Sequence, residues 1–82
     1  MVILKKIKKE NNIISVIYIP DVNQEDVGTI IFDISRDEVV EYKYCNIDEH
    51  SLLQTFFHKA VAAIREMIEK DEYPEEYEYC WY

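Results

Sequence analysis

The chain has 82 residues, 49% hydrophobic and 32% charged, with 17 acids against 9 lysines and arginines for a net charge of −8. That length holds a single domain spanning 1–82, and the composition excludes a disordered chain and a membrane-embedded one. The negative balance sets the surface against direct binding of nucleic acid, whose phosphates it repels, and against an anionic membrane.

The first strand is read at 2–9 and the second at 13–19. In the first, Ile3 and Ile7 fall on one side and Lys6 and Lys8 on the other, with Leu4 an apolar exception among the lysines. Glu10-Asn11-Asn12 reads as a tight turn because asparagine tolerates positive φ. Pro20 stops the second strand and an acidic loop follows to Val27. Gly28 is the only glycine and stands where a strand restarts, which suggests a positive φ or a bulge. Residues 29–34 alternate, Ser35-Arg36-Asp37 turns, and 38–45 alternate again, with Val40, Tyr42 and Tyr44 against Val39, Glu41, Lys43 and Cys45.

A single long helix is expected over 49–71, with Asp48 as N-cap and Ile47 stapled to Leu52. Its apolar rows run Leu53, Phe57, Ala60, Val61, Ile64 and Ile68, and Leu52, Phe56, Ala63 and Met67. After Pro74 the segment Tyr77-Glu78-Tyr79-Cys80-Trp81-Tyr82 alternates like a short fifth strand. The expected fold class is α+β: an antiparallel meander of four strands, with the tail as a candidate fifth, and one long C-terminal helix packed on one face in two layers. Ile30, Phe32, Ile34, Val40, Tyr42 and Tyr44 are expected under the helix, and Ile31, Val39, Leu4 and one apolar side of the second strand on the opposite face.

The charge is uneven. Lys5, Lys6, Lys8 and Lys9 crowd one end of the sequence, and Glu69, Asp71, Glu72, Glu75, Glu76 and Glu78 the other. Two solvated faces would explain this, as would attraction between the ends, within one chain or head to tail between chains. Met1-Val2-Ile3-Leu4 ahead of the lysines reverses the order of a signal peptide, and no run approaches the ~20 apolar residues of a membrane helix. Cys45 and Cys80 form no Cys-x-x-Cys pair. A reducing cytoplasm with free thiols is therefore the expectation.

The chemistry-bearing motifs are few. One glycine excludes a phosphate loop or a dinucleotide fingerprint. Cys45, His50, His58 and Cys80 match no short zinc spacing, and Asp21, Glu25 and Asp26 lack the calcium-loop pattern, so no metal or other cofactor is expected. Cys45 and His50 flank the helix start, but Asp48 and Glu49 beside them oppose a thiolate, and no catalytic residue is assigned. The aromatic tail is the most unusual feature. Tyr73, Tyr77, Tyr79, Trp81 and Tyr82 form either a docked strand or an interaction surface, since aromatics dominate binding hot spots.

The two hairpins, Gly28 opening a strand, the histidine-bearing helix and the Tyr-Pro-Glu-Glu…Trp-Tyr ending resemble a group of short bacterial proteins with no established activity. The resemblance implies a bacterial cytoplasmic setting and carries over no site. The leading functional expectation is a small non-enzymatic protein–protein interaction module that pairs with another protein or with itself as a homodimer. Two alternatives are an acidic decoy that mimics nucleic acid toward a DNA- or RNA-binding protein, and a small-molecule binder or minor enzyme.

Overall fold

Alternating β-branched and aromatic segments, interrupted by turn formers, give five antiparallel strands with a helix packed on the sheet, an α+β arrangement. The computed structural model describes residues 1–81. In chain order it contains β1 (Val2–Glu10), β2 (Ile13–Pro20), β3 (Gly28–Asp33), β4 (Glu38–Lys43), a one-turn α1 (Asn46–Glu49), α2 (Thr55–Lys70) and β5 (Glu76–Tyr79). The sheet order is β4-β3-β2-β1-β5. The first four strands form the meander, and β5 returns to pair with β1.

Two one-residue insertions decide which side chains reach the core. In β1 the register moves from Lys5 opposite Ile17 to Lys8 opposite Ser15, so β1 carries one extra residue, and Lys6 there has φ 52°. Left-handed backbone at a non-glycine residue costs about 1–2 kcal/mol. Burying an isoleucine is worth roughly 1.5–3 kcal/mol, and the insertion rotates Ile7 onto the same face as Val2 and Leu4. Leu4 is therefore a core residue rather than an exception, and Ile3 lies opposite Ile19 on the other face. In β4 the insertion is at Val40, between Val39 opposite Phe32 and Glu41 opposite Ile31. Val39 consequently packs under the helix and Val40 is 45% exposed, the reverse of uninterrupted alternation.

The core is Val2, Leu4 and Ile7 of β1, Ile14, Val16 and Tyr18 of β2 and Ile30 and Phe32 of β3, packed against Phe57, Ala60, Ala63, Ile64 and Met67 of α2. Phe57 sits among three tyrosine rings, Tyr18, Tyr42 and Tyr44, at centroid distances of 6.1, 5.1 and 5.0 Å.

The single rod expected at 49–71 is interrupted. Helix α1 ends at Glu49, residues 50–54 form a loop, and α2 begins at Thr55. Asp48 is the cause. Its Oδ1 accepts the Phe56 N–H at 3.2 Å and its Oδ2 the Phe57 N–H at 2.7 Å, so it caps α2 from eight and nine residues upstream. In an unbroken helix those N–H groups would bond to the carbonyls of Leu52 and Leu53 instead. The proposed Ile47–Leu52 staple is absent, and Leu52 is 96% exposed. Helix α1 is capped in the same remote manner, with Asp26 accepting from Asn46 and Ile47 at 2.7 and 3.0 Å. At the other end of α2, Asp71 takes the left-handed cap position (φ 53°), and Glu72 N–H reaches back to Met67 O.

Gly28 has no positive φ. It is needed for space: it lies opposite Tyr18, and an added Cβ would overlap ring atoms Cε1 and Cζ and come within 2.8 Å of the Lys43 carbonyl oxygen. The Tyr18 hydroxyl, seated over this gap, donates to Asp48 Oδ2 at 2.8 Å and accepts the Cys45 N–H at 3.0 Å.

Tyr18 cannot retreat without breaking both bonds. Gly28→Ala should therefore destabilise the protein by about 1–3 kcal/mol, read as a lower denaturant midpoint at unchanged slope. A second prediction concerns pH. The Tyr77 hydroxyl, 2.6 Å from Glu66 Oε1, and then Lys70 hold the Glu66 carboxyl below its ordinary value of 4.5. A depressed carboxyl stabilises the fold above its unfolded value, and that contribution is lost as pH falls through the folded value. Glu66→Gln should thus lower stability at about pH 7, with an effect that shrinks steadily as pH falls below 4.5, by denaturation across an acid pH series.

Candidate interaction surface

Tyr18, Cys45 and Asp48, the polar side chains that meet near the helix starts, are turned inward. Asp48 is 1% exposed and its oxygens take three donors, from Tyr18, Phe56 and Phe57. Burial holds the Tyr18 hydroxyl far above the ordinary phenol range, so it remains a proton donor to Asp48. Burial also pushes the Cys45 thiol up, away from the thiolate a nucleophile needs. His50 points to solvent with Nδ1 2.9 Å from the Asn46 carbonyl, and His58 and Cys80 are exposed. The three loop acids go separate ways: Asp26 caps α1, Asp21 lies 3.5 Å from the terminal ammonium, and Glu25 is exposed. Among the described residues no three histidine, cysteine or acidic side chains gather into a metal-binding group.

The aromatic tail is laid along the sheet and under the helix. Tyr77 lies opposite Leu4 and Tyr79 opposite Val2. Trp81 packs edge-on against Phe56 at 5.9 Å, with Lys59 Nζ 5.7 Å from its ring, and Tyr73 lies beneath Lys9 at 5.5 Å. All four rings are half-buried. Tyr82 lies outside the described residues. The tail covers the flank of the helix whose apolar arc is wide for contact with the sheet alone. The same pairing brings the basic and acidic ends of the sequence together, since Lys5 opposes Glu76 with their charges 3.6 Å apart.

The other face of the sheet has no helix on it. Strand registers place its side chains in rows. One row runs Glu41, Ile31, Ser15, Lys8 and the next runs Lys43, Thr29, Ile17, Lys5, Glu76. Ile17 and Ile31 are half-buried in the middle, with charged residues at both ends of each row. An open depression of about 880 Å³ lies here, with Ile17, Ile31, Ser15 and Thr29 between Lys8 and Lys43. Sequence reading identified Ile31 on this face, but it placed Leu4 and Val39 here too. Both belong under the helix, because unbroken alternation cannot anticipate the inserted residues.

A second apolar feature is the loop between the helices. Leu52 and Leu53 are 96% and 73% exposed. The backbone behind them is fixed by Ser51, whose Oγ accepts the Leu53 N–H and whose carbonyl accepts Gln54 Nε2–H.

No family model, curated protein or solved structure matches the chain. No helix among the described residues is long and apolar enough to cross a membrane.

The contrast between the two thiols is directly measurable. Iodoacetamide should label Cys80 in the native protein and reach Cys45 only on unfolding, as mass spectrometry of the labelled peptides would show. Equal native rates would refute the packing around Cys45.

Proposed function

We propose that the chain is a non-enzymatic protein–protein interaction module whose working surface is the helix-free face of the sheet. The observation that carries this reading is the Ile17 and Ile31 pair, left half-exposed between charged borders on a face that no helix covers. A sheet with one face under a helix needs only polar residues on the other, and apolar residues bordered by charge mark a contact surface. Catalysis is disfavoured by the same geometry. Asp48, Tyr18 and Cys45 are committed to hydrogen bonds within the fold or sealed from solvent, and none lines the open depression.

Lys8 and Lys43 stand among the acids of this face, so it does not present the unbroken rows of carboxylates that an imitation of nucleic acid requires. An apolar contact bordered by mixed charge is the better fit, and such a complex weakens only modestly as salt rises.

Replacing Ile17 and Ile31 together by threonine keeps β-branched side chains and removes the apolar floor. Affinity capture with the purified wild type and this double variant, checked by circular dichroism for intact folding, should show bound proteins lost from the variant. A variant that retains every interaction would refute the assignment of this face.

A further inference from the structure

We propose that two copies of this chain pair edge to edge through β4, joining two five-stranded sheets into one of ten around a two-fold axis perpendicular to the sheet. Strand β4 has β3 on one side and no strand on the other among the described residues. Its outward N–H and C=O groups are thus an open template for a further strand. Two of its six side chains, Val40 and Tyr42, are apolar and 45% and 52% exposed.

The outer residues of β4 are complementary to one another across a two-fold axis, with Val40 and Glu41 meeting at its centre. Laid antiparallel about the midpoint of Val40 and Glu41, Glu38 falls opposite Lys43 of the second copy, and Val39 opposite Tyr42. Opposite charges and a β-branched–aromatic pair are both favourable directly across an antiparallel ladder. Glu38 also has Arg36 at 3.7 Å, an exposed contact of little strength.

In a regular strand this register would fail, because residues three apart point to opposite faces. The insertion at Val40 corrects the mismatch. Val39 and Tyr42 lie opposite Phe32 and Ile30, both on the helix side. Glu38 and Lys43 lie opposite Asp33 and Thr29, both on the helix-free side. The extra residue therefore gives the strand the same order of faces read from either end, which is what pairing with its own copy requires. A foreign strand would not need this property. In the dimer both helices lie on one side, and the two helix-free faces become continuous.

The test is sedimentation velocity over a concentration series, with amide hydrogen exchange, on the wild type, Glu38→Lys, Lys43→Glu and the double variant. These are exposed edge residues, and circular dichroism checks that each variant folds. The expected result is a concentration-dependent dimer in which β4 amides exchange more slowly as concentration rises. Each single reversal sets like charges opposite one another twice per dimer and should weaken association roughly tenfold or more, and the double variant should recover it. A monomer at every concentration would overturn the proposal. So would a dimer indifferent to the single reversals, or β4 amides whose exchange ignores concentration. The Ile17/Ile31 threonine variant separates the two readings: it should leave this dimer intact, and a dimer it abolishes would place self-association on the helix-free face and overturn pairing through β4.

Discussion

A carboxyl group taken out of water costs several kcal/mol unless donors replace the water it leaves. Asp48 is such a group, and its donors come from two helix N–H groups and the hydroxyl of Tyr18. Meeting that requirement ties four elements together. Tyr18 fixes β2, its ring demands the bare backbone of Gly28 on β3, and its oxygen receives the N–H of Cys45 just before α1. Helix α2 can start only where its first free N–H groups meet the carboxyl. Asp26 repeats the arrangement for α1 from the neighbouring loop. The placement of both helices on the sheet is therefore set by polar contacts, and the apolar packing of Phe57, Ile64 and Met67 follows from it.

The two inserted residues act at the level of the sheet. Without the one in β1, Ile7 would lie beside Ile3 on the helix-free face. Without the one in β4, Val40 would take the inward place that Val39 holds. Each is a local change of a single residue, yet together they decide the chemistry of both faces. The helix side gains a continuous apolar core, and the helix-free side keeps Ile3 and Ile19 buried and Ile17 and Ile31 half-buried among charged residues.

Much of the architecture was legible in the sequence. Four strands, the turn at Asn11–Asn12, the stop at Pro20 and the helix beyond Thr55 follow from periodicity and turn chemistry, and β5 from the alternation of Tyr77 and Tyr79. The break at 50–54 was not legible. Leu52 and Leu53 fit the helical period, and capping rules look one residue upstream rather than eight. The role of Asp26 was hidden for the same reason, since an acid in a loop of acids gives no sign that it is buried. Gly28 was correctly singled out for the wrong cause: the constraint comes from a ring across the sheet. Of the candidate surface aromatics, those described are placed against α2 and β1. Ile31 on the helix-free face was legible from alternation, but its place in the row beside that of Ile17 became apparent only once the strand registers were known.

The exposed leucine loop has a consequence for how the molecule is partitioned. A backbone cut between Leu52 and Leu53 would fall outside every strand and helix. It would sever the covalent link between Asp48 and the helix it caps, while the carboxyl and the helix start stayed 2.7 Å apart across the gap. The second piece would bring α2 and β5, and the first would hold the surfaces both dock on. The protein is in this sense two complementary pieces, a four-stranded receptor and a helix–strand insert, and the loop that joins them holds each at a high local concentration for the other.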